Sequence, residues 1–253
     1  VLIASDVART EVGLRFPQEV DQRKVYEQTS VFCEYISHPD QARRIVALAA
    51  QAAINKRGVA VVIVNGDMFT EKSDDKLHWA VHRPSPVMRP CDAELAELAK
   101  VLNEAGTVTI YAGIGARRAH DEVVKLAETL QAPVVHTTRA KEFIEPDNPY
   151  NVGMTGIIGN RAGMEAIDAA DVMLCLGTDF AWTQFYPEGK RVVQIDRDPA
   201  HLGRRAPVAL GLAGDVGDTI AALLPALTPR QDRGHLDKAL KMWEEDKEGY
   251  AKS

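Results

Sequence analysis

Three stretches of the chain hold glycine, hydroxyl or acidic residues of the kinds that suit nucleotide binding. The longest, residues 148–160, reads NPYNVGMTGIIGN and holds three glycines and one threonine. Glycine has no Cβ, so its backbone can approach a ligand closely or adopt a positive φ. A helix predicted over residues 161–170 follows, and the free amides of a helix N-terminus favour anions. This stretch is therefore predicted to hold a flat or phosphorylated ligand.

Two further loops follow apolar segments that predict buried strands. Residues 177–180 (GTDF) follow the predicted strand 172–176, and residues 196–199 (DRDP) follow the predicted strand 192–195. In an open parallel sheet, ligands bind beyond the carboxyl ends of the strands. Because all three loops fall at such ends, residues 92–227 are predicted to form one nucleotide-binding domain.

A fourth stretch begins like the dinucleotide fingerprint GxGxxG. Gly113 and Gly115 fit its first two glycines, but Arg118 occupies the third position. The fingerprint also needs an acidic residue about 20 residues later, and residues 133–138 contain none. An ordinary NAD dehydrogenase is therefore disfavoured, and a tight strand-to-helix turn explains the two glycines equally well.

Charged and aromatic residues in these loops are candidate ligand contacts, each with a structural alternative. Asp196 ends a strand where a ribose needs an acceptor, although it also suits the cap of the following turn. Arg139 and Lys141 suit a pyrophosphate, although loop cations are usually solvated. Asp179 or Phe180 could meet a ring system, although Phe180 equally suits the core.

Composition narrows the function further. The 253 residues carry a formal charge of -6 and no basic stripe, which argues against nucleic-acid binding. Cys33, Cys91 and Cys175 are too widely spaced for a zinc site or a disulfide framework, which suits a reducing compartment. His78 and His82 are four residues apart but lack a third ligand, so no metal site is predicted. With no membrane-spanning apolar run, we expect a cytoplasmic protein.

The alternation of predicted strands and helices indicates an α/β fold with a doubly wound parallel sheet. Residues 1–68 give only three strands and one helix, so they are predicted to be part of an α/β domain whose remaining strands lie outside this chain. Three prolines mark residues 69–91 as a linker, and residues 228–253 are predicted to form a charged helical tether. We expect both ends of the chain to lie within a longer protein.

Local signals predict individual boundaries. A helix over residues 40–56 should end at Gly58 and bury Ile45 and Leu48. Asp92 is predicted to cap the next helix, and residues 137–142 to form a polar loop.

Six stretches, in the same order as in the family, resemble thiamine-diphosphate-dependent enzymes of the pyruvate oxidase group. The resemblance is greatest to the quinone-dependent pyruvate dehydrogenases. The stretches are residues 13–19, 57–67, 133–142, 147–159, 177–180 with 185–187, and 194–203.

The resemblance implies a subunit with a pyrimidine-binding domain, a central FAD-binding domain and a pyrophosphate-binding domain. This chain corresponds to the second half of the first domain and all of the second. Asp196 is implied to take the adenosine ribose of FAD. Other implied FAD contacts are Gly153, Met154, Thr155, Gly156, Gly177, Thr178, Asp179, Phe180 and Ala181, with Gly113, Gly115, Arg139, Lys141 and Asp215 as further ones. Close relatives carry proline in place of Ala181, so this loop is expected to hold the flavin less rigidly.

The family's activating glutamate and its metal–diphosphate motif are expected to lie outside this chain. The motif is GDG with a later asparagine, and residues 66–68 and 214–216 both lack its second glycine. Thiamine diphosphate and Mg²⁺ are therefore expected only in the complete enzyme. No catalytic residue is expected in this chain, which should be inactive alone.

The complete enzyme is implied to decarboxylate pyruvate oxidatively, passing electrons to FAD and then to quinone or oxygen. Dimers or tetramers of identical subunits are expected, and the family's lipid-binding tail would lie beyond this chain. Two alternatives remain: an acetolactate synthase-like carboligase whose FAD does no redox work, and a non-catalytic nucleotide-binding module. Residues 185–187 favour the first interpretation over the carboligase. A related NAD-consuming deacylase is disfavoured because His136 fits a core position better than a catalytic one.

Overall fold

A computed structural model describes residues 1–252 and divides the chain into two compact units, Val1–Pro86 and a second from Val87 onward. The first unit contains a three-stranded parallel sheet in the order β1-β3-β2. Its helices and strands are β1 (Leu2–Asp6), α1 (Gln22–Tyr26), β2 (Phe32–Ile36), α2 (Ala42–Asn55) and β3 (Ala60–Asn65). The central strand β3 is buried from Ala60 to Val64, as its continuous apolar sequence predicts.

Helix α2 differs from its prediction at both ends and on its apolar face. A 3₁₀ turn, Pro39–Gln41, precedes it, and a left-handed residue, Arg57 (φ 52°), follows its end, one position before Gly58. Ile45 is buried as predicted, whereas Leu48 is exposed. Gly58 is needed for a different reason, because a Cβ there would collide with the side chain of Val31.

Residues 71–91 contain no helix or strand, and the start of this segment is bound to the first unit. The Asp40 carboxylate accepts hydrogen bonds from the Ser73 hydroxyl (2.9 Å) and the Asp74 amide (2.7 Å). Further along, the His82 amide donates to Gln51 Oε1 in α2 (3.1 Å). The segment therefore lacks helix and strand but is hydrogen-bonded to the first unit through Ser73, Asp74 and His82.

The second unit contains a six-stranded parallel sheet in the order β6-β5-β4-β7-β8-β9. Counted within this unit, the order is 3-2-1-4-5-6, so the winding direction reverses between β4 and β7. The α/β fold with a doubly wound parallel sheet is confirmed. Its helices and strands are α3 (Asp92–Glu104), β4 (Val108–Ala112), α4 (His120–Leu130), β5 (Val134–His136), α5 (Lys141–Ile144), β6 (Asn151–Met154), α6 (Arg161–Asp168), β7 (Val172–Leu176), β8 (Arg191–Asp196), β9 (Leu210–Ala213), α7 (Val216–Leu223) and α8 (Gly234–Ala251).

Each face of this sheet is covered by helices. Side chains of a strand alternate between faces, so Ile110 of β4 packs in the cluster formed with α3, α4 and α7, and Tyr111 packs in the cluster formed with α6 and α8. Helix α8 buries Leu236 and Ala239 in this arrangement. A helix was predicted within residues 228–253 and expected to be more tether than core, whereas α8 packs its buried residues onto the sheet of the second unit.

Three local predictions in the second unit are corrected. The predicted loop 148–160 contains the edge strand β6, which pairs with β5. Residues 137–142 contain a 3₁₀ turn, Thr138–Ala140, and the start of α5 rather than an open loop. Cys91, not Asp92, is the N-cap of α3, and its amide donates to Glu94 Oε2 (2.9 Å). No helix among residues 1–252 is long and apolar enough to span a membrane.

Candidate nucleotide-binding site

A cleft of about 300 Å³ lies at the carboxyl ends of β4, β5 and β7. It adjoins the reversal point between β4 and β7, where open α/β sheets bind their ligands. Its lining residues come from the three loops that follow these strands. They are Ile114, Thr137, Thr138, Arg139, Thr178, Asp179, Phe180, Ala181 and Trp182.

Gly113, Gly115 and Gly177 bring the loops after β4 and β7 into direct backbone contact. The Gly115 amide donates to the Gly177 carbonyl (2.9 Å), and the Gly113 amide donates to the Leu176 carbonyl (2.9 Å). A Cβ on Gly177, whose φ is +58°, would lie 2.5 Å from Gly115 Cα. Contact between the two loops therefore explains all three glycines, whereas the sequence offered a tight strand-to-helix turn for Gly113 and Gly115 alone.

The loop between β6 and α6 approaches the cleft through Gly156. Gly156 has φ +113°, and a Cβ there would lie 2.9 Å from Phe180 Cζ. Phe180 in turn packs edge-on against Tyr111, with ring centroids 5.6 Å apart. Phe180 therefore lines the cleft and also packs on the core, and its contact with a ligand ring stays a prediction.

Asn160 closes this loop at its far end. Its Oδ1 accepts the Met154 amide (2.6 Å) and its Nδ2 donates to the Val152 carbonyl (3.0 Å). Beyond it, the Ala162 amide at the start of α6 donates to the carboxylate of Asp246 (2.9 Å). The anion at this helix N-terminus is therefore a side chain of the protein, where the sequence suggested a ligand.

The predicted cations differ in their partners. Arg139 lines the cleft, and its guanidinium makes no hydrogen bond or ion pair with any side chain or backbone group of residues 1–252. Lys141 lies in α5, away from the cleft lining, and pairs with Glu145 (2.5 Å). Arg139 is therefore the better candidate for an anionic ligand group.

Asp179 lines the cleft but is already neutralised by the protein. Arg204 Nη1 donates to its Oδ2 (2.8 Å) and Arg205 Nε to its Oδ1 (3.0 Å). This pairing ties the loop after β7 to the segment that follows β8. The carboxylate thus shapes the wall of the cleft rather than adding a free charge.

Asp196 and Asp215 lie at the same edge of the sheet, outside the cleft lining. Asp196 Oδ1 accepts the Asp198 amide (2.9 Å), whereas its Oδ2 has no partner among the described residues. The following 3₁₀ turn is capped by Asp198, so the cap alternative for Asp196 is wrong. Asp215 is the N-cap of α7 and its Oδ2 pairs with Arg197 (3.2 Å).

The remaining predicted residues lie around the β6–α6 loop. Gly153 adopts φ +87° next to Asn160, Met154 is half-buried and Thr155 is buried. Three residues that line the cleft were not predicted as site residues: Thr137, Thr138 and Trp182. The two threonines follow a predicted strand, so the strand-end rule could have found them.

Two buried titratable groups lie close to the cleft. The Tyr111 hydroxyl is fully buried without a hydrogen-bond partner, and this burial raises its pKa above the ordinary range. His136 is also fully buried, which lowers its pKa and keeps the imidazole neutral. It fits the predicted core role. Residues 1–252 contain no cluster of three or more His, Cys, Asp or Glu side chains suited to a metal ion.

The chemistry of the cleft fits a flavin nucleotide, which joins a flat ring to ribose and pyrophosphate. Phe180 and Trp182 offer aromatic surface to a ring. Arg139 offers a free guanidinium to phosphate, and Thr137 and Thr138 offer hydroxyls. The residues present therefore suit FAD in chemical type.

Residues 95–223 match the family model of the thiamine pyrophosphate enzyme central domain. A Pseudomonas amyloderamosa protein, "uncharacterized 42.6 kDa protein in isoamylase 3′ region", is 44% identical over 250 residues, covering 98% of this chain and 63% of its own length. The "putative thiamine pyrophosphate-containing protein YdaP" of Bacillus subtilis is 30% identical over 240 residues, covering 93% of this chain and 41% of its own length.

Two other relatives have names that state different activities. The sulfoacetaldehyde acetyltransferase of Rhodobacter capsulatus is 28% identical, covering 92% of this chain and 41% of its own length. The pyruvate oxidase of Lactiplantibacillus plantarum is 26% identical, covering 85% of this chain and 36% of its own length. The chain thus spans less than two thirds of each of these relatives.

Proposed function

Because this chain belongs to the thiamine pyrophosphate enzyme family through its central domain, we propose that it forms the FAD-binding portion of an enzyme that oxidises pyruvate. The sequence resemblance is confirmed for the family, whereas membership of the pyruvate oxidase group is part of the proposal. The relatives include proteins named for oxidase, acetyltransferase and decarboxylase activities, so the family alone does not select among them.

The observation that carries the FAD proposal is the cleft at the reversal point of the sheet. Phe180 and Trp182 would pack against the flat ring, and Arg139 would pair with the pyrophosphate. The unpartnered Oδ2 of Asp196 would accept a ribose hydroxyl. Among the described residues, the Arg139 guanidinium and Asp196 Oδ2 have no other partner, while Asp196 Oδ1 is held by the Asp198 amide (2.9 Å) and His201 Nδ1 (3.2 Å).

In the complete enzyme, bound FAD would supply the two-electron acceptor for the oxidation of pyruvate. The residues of this chain would bind and orient it, while the interlocked loops at Gly115 and Gly177 hold the cleft in shape. We place no catalytic residue in this chain. Thiamine diphosphate, Mg²⁺, pyruvate and a partner subunit belong to the complete protein in this proposal, as does a cytoplasmic location.

The test uses the full-length protein that contains this chain, loaded with FAD, thiamine diphosphate and Mg²⁺. Anaerobic addition of pyruvate should bleach the visible absorbance band of the flavin within the turnover time. Omitting thiamine diphosphate is the control and should leave the band unchanged. A band that stays oxidised while pyruvate is present would overturn the oxidative role.

A second candidate is a non-redox role for FAD, as in a carboligase. Some relatives are named sulfoacetaldehyde acetyltransferase, one of them 28% identical to this chain, and that name states a group transfer rather than an oxidation. Under this alternative, pyruvate would be consumed while the flavin remains oxidised. A non-catalytic nucleotide-binding module would bind FAD and consume no pyruvate.

A further inference from the structure

Helix α8 makes a polar contact with the β6–α6 loop, defined here as residues 155–160. The Asp246 carboxylate accepts hydrogen bonds from Asn160 Nδ2 (3.2 Å) and from the Ala162 amide (2.9 Å). The Asp246 side chain is 13% exposed, so water competes little for these bonds. Neighbouring Glu245 is half-exposed, and within the described part of the chain it pairs with Arg161 alone (2.6 Å).

Asn160 connects Asp246 to strand β6. Besides bonding Asp246, its side chain holds the Met154 amide (2.6 Å) and the Val152 carbonyl (3.0 Å). Its own amide donates to the Met154 carbonyl (3.0 Å). The two ends of the loop are therefore joined through one asparagine, and Asp246 is the partner that α8 provides for it.

A second residue of α8, Trp243, packs against strand β6 just before this loop. Trp243 lies one helical turn before Asp246, on the same face of the helix. A Cβ on Gly153 would lie 2.9 Å from Trp243 Cζ3, so strand β6 is packed directly against this ring. Apolar packing and a buried carboxylate thus act on the same stretch of chain.

Between its ends the loop has little internal support. The Gly159 amide donates to the Gly156 carbonyl (2.9 Å), while Ile157 and Ile158 are 64% and 65% exposed. Glycine-containing backbone loses much conformational entropy when it is ordered. A loop fixed before binding avoids that cost when the ligand arrives.

We propose that Asp246 is a positioning residue that fixes the β6–α6 loop for ligand binding, so that α8 forms part of the nucleotide-binding unit. The relation to ligand affinity rests on the FAD site proposed above, whereas the fixing of the loop does not. The carboxylate also repels a second anion at the N-terminus of α6. The phosphates of a bound nucleotide are thereby directed to the Arg139 side of the cleft.

The test compares Asp246→Ala with two controls. Glu245→Ala removes the neighbouring carboxylate and its exposed ion pair, and Leu236→Ala loosens the packing of α8 without touching the loop. Hydrogen exchange of peptides covering residues 152–162 is measured in the chain without FAD. FAD affinity is then measured by titration, with the visible spectrum of bound flavin as a separate signature.

Asp246→Ala should raise exchange in residues 152–162 and weaken FAD binding at least tenfold, with a changed flavin spectrum. Glu245→Ala should leave both near wild type, and Leu236→Ala should lower the melting temperature without this local effect. Unchanged exchange in Asp246→Ala, or an equal loss of affinity in Leu236→Ala, would overturn the proposal. If the wild-type chain binds no FAD but exchange responds to Asp246→Ala, the positioning role stands and the FAD site fails.

Discussion

Tyr111 contributes its ring rather than its hydroxyl to the core of the second unit. The ring packs against Phe180, while the hydroxyl is buried without a hydrogen bond. An unsatisfied buried polar group costs about 1–3 kcal/mol. Tyr111→Phe should therefore raise the free energy of unfolding by about 1 kcal/mol in urea denaturation.

Tyr186 provides the matched control for this substitution. Its hydroxyl donates to the Phe180 carbonyl (3.2 Å), so Tyr186→Phe should lower the free energy of unfolding by about 1 kcal/mol. Equal losses in both variants would mean that the Tyr111 hydroxyl has a partner, contrary to this interpretation.

Arg139 and Lys141 give a second comparison at the residue scale. Only Arg139 lines the cleft without a carboxylate partner. Arg139→Ala should weaken FAD binding by about tenfold, the value of a charge-assisted hydrogen bond, and reduce its salt dependence. Lys141→Ala should change affinity by less than about twofold, because exposed ion pairs contribute little. FAD affinity of both variants is measured by isothermal titration calorimetry at two salt concentrations. Equal losses of affinity in the two variants would contradict this prediction.

Sequence alone could nominate these residues but could not separate them. Arg139 and Lys141 are two positions apart in one polar stretch. Only the ion pair with Glu145 excludes Lys141 as a candidate ligand contact. Likewise, Asp179 is neutralised by Arg204 and Arg205, about 25 residues later. Such pairings depend on which loops meet at the sheet edge, and local sequence does not encode that.

At the scale of elements, the contact between the loops after β4 and β7 is the feature most sensitive to substitution. Gly177→Ala would add strain at φ +58° and place a Cβ 2.5 Å from Gly115 Cα. We expect a loss of more than about 3 kcal/mol of stability, from the backbone strain and the clash together.

Gly189→Ala is the matched control, since Gly189 also has a positive φ (+68°) but no atom within 4 Å of the place where a Cβ would lie. Only the backbone strain remains there, so the expected loss is about 1 kcal/mol. Both values come from thermal or urea unfolding. Equal losses would show that the interlocked loops relax freely.

The elements themselves were largely predictable where periodicity is strong. The bounds of β7 agree with the predicted strand 172–176, because a continuous apolar run defines them. Strand β6 was missed because its four residues contain Gly153 and lie among turn-forming residues. The packing of α8 was not predicted, because its apolar stripe is narrow and most of its residues are charged or polar.

For the whole molecule, the sequence alternation was sufficient to predict an α/β fold with a parallel sheet. The structure adds the strand order, which places the reversal point beside the cleft. The predicted limits of the domains, residues 1–68, 69–91, 92–227 and 228–253, remain predictions. The observed division falls between Pro86 and Val87.

The attachment of residues 73–75 to the first unit should depend on pH. The hydrogen bond from the Ser73 hydroxyl, with those from the Asp74 and Asp75 amides, holds the pKa of Asp40 below its ordinary value. A lowered pKa in the folded state stabilises the attachment at neutral pH, and the contribution is lost as pH falls through that lowered pKa. Exchange of the Asp74 and Asp75 amides, corrected for intrinsic rate, should therefore rise only below about pH 4.

Asp40→Asn removes the charge at all pH values and should speed trypsin cleavage at Lys72 and Lys76 already at neutral pH. Asp74→Asn is the control, because the Asp74 carboxylate makes none of these bonds and only its amide is used. Cleavage that is identical in both variants and the wild type would exclude Asp40 as the anchor.

The central claim is that the cleft beside the β4–β7 reversal point binds FAD. Its most direct test is a visible absorbance spectrum of the purified chain, recorded before and after incubation with FAD and desalting. We predict a retained flavin band at one FAD per chain, lost or reduced in Arg139→Ala and kept in Lys141→Ala. A wild-type chain, and a full-length parent, that both emerge from desalting without a flavin band would contradict the claim.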